Sequence, residues 1–269
     1  MEKTGKLSKC VKGVGNFGTV KNHHLFDHKT FNKDLFSIEY PIASPKLHAL
    51  IKNIKRLDEM DYSRSKQTFK HMIYTDVDNS RTGVKVIASA LSVEGFVHCY
   101  TPMGTGFHMK TDEELLETRG QNFGVMISKS FFDRNVSVRL KKQLITKYND
   151  RDGNVNGDYL RIIVLDQGYK EGIDLFDVKY VHLFDPVLDA DQKQAVGRGT
   201  RYCGQMGLAF HPVLGWPLHV FKYDNEFDKP FMGTQNIEEL WLKSLNLDIR
   251  RIKFAANLED VVIDAAVDR

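Results

Sequence analysis

The sequence predicts an α/β protein in which a mostly parallel sheet is flanked by helices. Two observations lead there. Short apolar runs alternate with helical segments along most of the chain, and the runs are apolar on both faces, as strands are when helices cover a sheet from both sides. "KHMIYTDV" (70–77), "LRIIVLD" (160–166) and "KYVHLFD" (179–185) are the plainest of these runs.

The elements follow in order. Residues 1–43 are rich in Gly, Lys, His and Asn, with aromatics at no clear period, and read as an N-terminal arm or linker with little core of its own. From Ser44, "SPKLHALIKNIKRLDEM" offers an N-cap serine, Pro45 at the first helical position, and Leu47, Leu50, Ile51, Ile54 and Leu57 at three-to-four spacing, an amphipathic helix. The strand 70–77 then runs into the polar turn "DNSRTG", and "VKVIASALSVEGF" reads as a helix stopped at Gly95. "NFGVMIS" (122–128) is the next strand. "SFFDRNVSVRLKKQLITKYN" (130–149) is a helix with a basic face, and "RDGNVNGDY" an exposed turn cluster. Strands 160–166 and 179–185, the helix "DADQKQAVGRGTRYC" and a strand at "PLHVFKYD" (217–224) complete a domain spanning 44–224. Residues 225–269 read as a C-terminal helical extension, with helical stretches at 237–247 and 249–267.

Composition excludes several classes. At 269 residues, 42% hydrophobic and 27% charged, the chain can bury a large core. The net charge of +3 and the pI near 8.6 permit an anionic partner without arguing for one. Cys10, Cys99 and Cys203 are odd in number and lack CxxC spacing, so neither a disulfide framework nor a zinc site is expected, and a reducing, intracellular setting is. The basic N-terminus lacks the apolar stretch of a signal peptide. No window approaches a transmembrane length, so no membrane partner is expected.

"GVGNFGTV" (13–20) satisfies GxGxxG, yet it reads as a flexible turn. A dinucleotide fingerprint needs a strand before it and a helix after it, and "KLSKCVK" and "KNHHLFDH" are poor candidates for either. A P-loop needs Lys and then Ser or Thr after the second glycine, where Thr19 and Val20 stand. The kinase reading lacks its downstream Lys, HRD and DFG.

Phosphate chemistry points instead to "QAVGRGTRYCG" (194–204). If this segment stays helical into its glycine turn, Gln194, Arg198 and Arg201 project from one side. Two guanidiniums converging there suit a phosphoryl group, because each is a permanently charged planar fork. Gly197 and Gly199 remove bulk beside Arg198, so that a ligand or another domain can approach. On spacing alone, a solvated basic helix end is an equal reading.

Context separates the two. Gly172-Ile173-Asp174, then the strand to Asp185-Pro186, then Gln194-x-x-Gly197-Arg198-x-x-Arg201 resemble motifs V and VI of superfamily 2 helicases. The wording across residues 44–224 looks most like the helicase-related NTPases of poxviruses and giant DNA viruses. The resemblance implies a RecA-like domain, the second of two. It implies that Arg198 and Arg201 reach across an interdomain cleft toward nucleotide phosphates, with Gln194 hydrogen-bonding in the same cleft. Asp174 would contact the ribose, and Gly172 would permit its tight approach. It also implies a place in a viral factory of the host cytoplasm, or in the virion.

The first domain of such a motor carries a P-loop lysine and the acids that hold magnesium. This sequence has neither: "TDEELLE" (111–117) has no apolar strand before it and reads as a helix start. ATP and Mg²⁺ are therefore expected only in a motor completed by a P-loop RecA-like domain in cis or trans, and the chain alone is expected not to hydrolyse nucleotide. A fragment, a split protein and a domain retained for binding would each have such a sequence. Contact with single-stranded or duplex nucleic acid is expected from loops at the carboxyl ends of strands, at Thr75 and at Gln167, Gly168 and Lys170. The alternative is a non-catalytic interaction module in viral transcription or packaging, although Phe210, Trp216 and Pro217 are expected to complete the core.

Overall fold

A computed structural model describes residues 25–77, 83–103, 106–128, 131, 136–169, 172–213, 215–216, 218–245, 247–248, 250–255 and 257–258. Helices α1 (Lys33–Ala43) and α2 (Pro45–Ser65) precede β1 (Lys70–Tyr74). Then come α3 (Val84–Val93), β2 (Val97–His98), β3 (Tyr100–Met103), β4 (Gly106–Met109), α4 (Asp112–Glu117) and β5 (Asn122–Met126). Next are α5 (Val138–Tyr148), β6 (Ile162–Leu165), β7 (Val178–Leu183), α6 (Asp189–Val196) and β8 (His219–Lys222). A hairpin, β9 (Glu226–Phe231) and β10 (Thr234–Asn236), leads into α7 (Ile237–Ser244).

The main sheet has six strands in the order β2-β5-β6-β1-β7-β8, and every pairing in it is parallel. Met72 on β1 sits between Ile163 on β6 and Val181 on β7. All residues of β1, β5 and β6 are buried, so these strands show no alternation because both faces are covered. This is the predicted fold class, a parallel α/β sheet flanked by helices.

Local chemistry accounts for most elements. The Ser44 hydroxyl accepts from the Leu47 N–H at the start of α2, Pro45 takes the first turn, and the five predicted apolar positions are buried. In α4, Thr111 and Glu114 form a reciprocal capping box and Asp112 to Glu114 lie at the positive end, so "TDEELLE" is a helix start as expected.

The reading of residues 1–43 as an arm or linker with little core of its own needs correction over its second half. Residues 33–43 are helical, and Phe36 and Tyr40 are buried in the main core, their rings stacked with centroids 5.4 Å apart. Buried Lys85 pairs with Asp27 at 2.6 Å, tying the preceding segment to α3. Two core positions four residues apart, with Pro41 between them and the next helix, gave too short a period to read. Residues 1–24, including "GVGNFGTV", lie outside the described residues.

Three further differences concern edges. Helix α5 begins at Val138, eight residues later than predicted, because Ser137 caps it and accepts from Leu140 N–H. The extension after residue 224 opens with the β9–β10 hairpin; β9 is largely exposed and so carries no apolar alternation. Past α7, residues 250–255 and 257–258 are helical. The hairpin of β3 and β4 was likewise absent from the sequence reading.

Beneath α2, buried His71 and His182 meet at 2.9 Å, and His182 meets the Tyr223 hydroxyl at 2.8 Å. Burial pushes both imidazoles below their ordinary pKa, and pushes His98 down to about 4. Below about pH 6.5 the unfolded chain therefore takes up protons that the folded chain refuses, so stability falls as pH falls. The loss is up to about 1.4 kcal/mol per pH unit for each histidine. Urea unfolding at pH 7, 6 and 5 is expected to show it, and stability that holds or rises toward pH 5 would exclude it.

Candidate functional site

Helix α6 stops at Gly197, and the chain turns tightly: Arg198 N–H bonds the Ala195 carbonyl at 3.2 Å and Gly199 N–H the Val196 carbonyl at 2.9 Å. The expectation that Gln194, Arg198 and Arg201 share one helical side is thereby corrected. Two glycines within three residues each cost about 1 kcal/mol against alanine in a helix, enough to end it. Gln194 is exposed on α6, Arg198 is 7% exposed within the turn, and Arg201 is exposed beyond it.

The turn is fastened to the loop that precedes β7. Leu175 N–H donates to the Arg198 carbonyl at 3.0 Å, and Arg198 Nη1 donates to the Ile173 carbonyl at 3.2 Å. Arg201 Nε donates to Asp174 Oδ1 at 2.8 Å. Residues 172–176 and 197–201 thus form one unit beside the amino end of β7. The Arg201 and Asp174 side chains are 48% and 55% exposed, so the pair is worth about 1 kcal/mol or less and opens cheaply.

The three glycines meet different local demands. Gly172 has φ +82°, and a Cβ there would meet nothing within 4 Å, so the left-handed backbone requires glycine and no close neighbour does. A Cβ on Gly199 would lie 3.4 Å from Val178, which is ordinary contact with the chain itself. A Cβ on Gly197 would come within 3.0 Å of the Lys193 carbonyl oxygen.

Three residues that sequence reasoning missed hold this unit from below. Asn149 Nδ2 donates to the Asp174 carbonyl and Asn149 Oδ1 accepts from Phe176 N–H, both at 2.8 Å. Arg151 Nε donates to Asp177 Oδ2 at 3.0 Å, and Arg151 Nη2 to the Cys203 and Gly204 carbonyls at 2.6 and 3.1 Å. Fully buried Asp177 accepts from Gly207 N–H at 2.8 Å, and its own N–H donates to the Gly204 carbonyl at 2.6 Å. No local pattern marks these contacts, since their partners lie roughly 25 to 50 residues away in sequence, where side chain–backbone bonds have no period.

The residues expected to touch nucleic acid lie elsewhere, at the carboxyl ends of β1 and β6. Thr75 is fully buried; its hydroxyl donates to the Asp185 carboxylate, which Lys46 pairs at 3.2 Å. Gln167 opens a 3-10 turn (Gln167–Tyr169), and Gly168 N–H donates to Asp166 Oδ1 at 3.0 Å. Gly168 is exposed, whereas a Cβ there would lie 2.0 Å from Ser128 Oγ. Lys170 lies outside the described residues. After β1 the chain crosses to the β2 edge, and after β7 it crosses outward to β8, so a switch point lies between Thr75 and Asp185, where open α/β sheets take ligands.

Among the described residues no group of three or more His, Cys, Asp and Glu could hold a metal, and no helix is long and apolar enough to cross a membrane. Cys99 is buried and Cys203 exposed, both free thiols, and Cys10 lies outside the described residues.

Fold and loop pairing define a parallel α/β domain with two fastened loop segments at the amino end of β7. No protein-family model matches the chain. It is 19% identical over 300 residues to "Putative ATP-dependent RNA helicase L377" of Acanthamoeba polyphaga mimivirus, a match covering 95% of this chain and 26% of that protein. It is 30% identical over 87 residues to "Putative ATP-dependent RNA helicase R350" of the same virus, covering 32% of this chain and 10% of that protein. The chain thus spans about a quarter or less of the length of these relatives. Among solved structures, the C-terminal part of the Fun30 ATPase domain aligns with a TM-score of 0.37 and 16% identity, covering 66% of this chain and 40% of that one.

Proposed function

We propose that the chain is the second, RecA-like motor domain of an ATP-dependent superfamily 2 helicase or translocase, related to those of poxviruses and giant DNA viruses. It works inside the host cell, in a viral factory or virion. One observation carries this reading: the two segments that resemble motifs V and VI, separated by a strand and a helix, are fastened into one unit by Arg198, Arg201 and Asp174.

In this reading the nucleotide and its magnesium are held by a P-loop domain in cis or trans. The donor set here fits a phosphate and not a metal: two arginines and one carboxylate, that carboxylate already paired. Arg201 releases Asp174 and turns to the phosphates, Arg198 presents its guanidinium to the transferring phosphoryl group, and Asp174 becomes free for the ribose, with Gln194 alongside. Single-stranded nucleic acid passes the carboxyl-end loop at Gln167, Gly168 and Lys170, whereas Thr75, fully buried with its hydroxyl on Asp185, holds the neighbouring loop and does not touch the strand.

The Arg201 pair supplies a test. Arg201→Ala is expected to change stability by less than about 1 kcal/mol, because the pair is exposed. In a mixture with the P-loop domain it is expected to cut ATP turnover by about a hundredfold or more, as loss of a charge-stabilising donor does. Turnover unchanged beside unchanged stability would remove Arg201 from the site.

A second reading, a docking module, is favoured by one finding. Tyr202 is 97% exposed, Phe210 58% and Trp216 40%, so the expectation that Phe210 and Trp216 complete the core is corrected. The two rings pack on each other edge to face, and Trp216 Nε1 donates to the Leu208 carbonyl at 3.1 Å. Pro217 lies outside the described residues. A docking module would be indifferent to Arg198→Ala and Arg201→Ala.

A further inference from the structure

A groove of about 690 Å³ runs between the end of β4 and the outer face of α5, and none of the site residues named above lines it. Its walls carry Lys110, Arg139, Lys142 and Lys147, with Gln143 and Thr146 between them. No carboxylate lines it. Lys147 is committed to Asp112 and Asp150, at 2.8 and 3.6 Å. Lys110, Arg139 and Lys142 make no ion pair among the described residues, although the chain has nearly as many acids as bases.

The helix explains the alignment. Arg139, Lys142, Gln143 and Thr146 stand at i, i+3, i+4 and i+7, one stripe of α5, while Leu140, Leu144 and Tyr148 face the core. Four cations around one concavity raise the local potential, and three of them have no counter-charge among the described residues. The same helix reaches the carboxyl-end loop, because Lys141 Nζ sits 5.3 Å from the centre of the Tyr169 ring, next to Gln167 and Gly168.

We propose that this groove is a second contact track for single-stranded nucleic acid, with Lys110, Arg139 and Lys142 on successive phosphates and Gln143 and Thr146 on phosphate or sugar oxygens. The inference rests on the nucleic-acid reading above and extends it to a surface outside the helicase-like segments. Continuity with the Tyr169 loop favours a strand over an acidic protein: a strand leaving the switch point passes over α5 into the groove. Contacts to phosphate carry affinity and salt dependence without sequence preference.

The test is binding of fluorescent oligothymidylate and oligouridylate over a salt series, for the native chain and for the triple variant Lys110→Gln, Arg139→Gln, Lys142→Gln. A control variant, Lys29→Gln, Lys33→Gln, Lys52→Gln, removes the same net charge from exposed positions elsewhere. Each phosphate contact on a single strand contributes about 0.7 to the slope of log affinity against log salt, so the groove variant is expected to lose about 2 from that slope. Its affinity at low salt is expected to drop about tenfold or more, with the control near native. An unchanged slope in the groove variant, an equal loss in the control, no binding by the native chain, or displacement of the strand by polyglutamate at equal charge concentration would each overturn the proposal. Strand binding through the groove without ATP turnover in any reconstituted mixture would sink the motor reading while leaving the track standing.

Discussion

Arg198→Ala abolishes ATP turnover in a reconstituted motor: a loss of about three to five powers of ten is expected, the scale on which an arginine finger acts. The physical cause is charge. As the phosphoryl group transfers, negative charge spreads over its oxygens, and a guanidinium fixed beside them stabilises that state more than the ground state. Arg198 is fixed in the required sense, since burial, the Ile173 carbonyl and the Leu175 N–H on its own carbonyl hold both side chain and backbone. The fall belongs in kcat, with the ATP KM changing much less. Arg198→Lys keeps the charge, loses the fork, and is expected to recover only part of the rate. Because the side chain is buried, Arg198→Ala also costs about 1–3 kcal/mol of stability. Unfolding curves run beside the kinetics separate the two, and turnover within about twofold of native would exclude a catalytic role.

The second large effect is structural. Asp177→Ala is expected to cost about 1–3 kcal/mol, because it removes the buried acceptor of the Arg151 guanidinium, which is itself a third exposed and keeps its carbonyl partners. Gly207 N–H loses its acceptor as well. Asp177 also has φ +58°, a conformation that aspartate tolerates better than alanine. Asp177→Asn keeps that tolerance and one acceptor oxygen and is expected to cost less than half as much. Urea midpoints measure both. The consequence reaches the site: the 203–207 segment hangs from Asp177 and Arg151, so hydrogen exchange at Cys203 to Gly207 is expected to rise in Asp177→Ala ahead of the central strands. A variant as stable as native would mean that the turn is held by other contacts.

These two residues also mark what was legible in the sequence. Arg198 announced itself because its chemistry and spacing from Gln194 and Arg201 are local, and because a strand and an Asp-Pro turn precede it. Asp177 did not, since it reads as one more acid in a loop, and only the folded chain brings Arg151 and Gly204 to it. The same contrast runs through the fold. The central strands β1, β5, β6 and β7 and helix α2 were legible because burial on both strand faces and a three-to-four spacing leave a direct record in the residues. Exposed β9 leaves no such record, and α1 leaves only Phe36 and Tyr40. The helical extrapolation through Gly197 and Gly199 failed for a reason visible beforehand, namely the cost of two glycines, which the attractive spacing of the arginines overrode. For Thr75, position at a strand's carboxyl end was read correctly, but the partner that takes its hydroxyl, Asp185, could be found only once β1 and β7 were neighbours.

The central claim is that this chain completes a nucleotide site whose other half lies on a P-loop domain. The most direct test is ATP turnover in the presence of single-stranded nucleic acid, for the chain alone, for the P-loop domain alone and for the two together. The account predicts turnover only in the mixture, stimulated by the strand. Strand-stimulated turnover by this chain alone, or a mixture no faster than the P-loop domain alone, would contradict it.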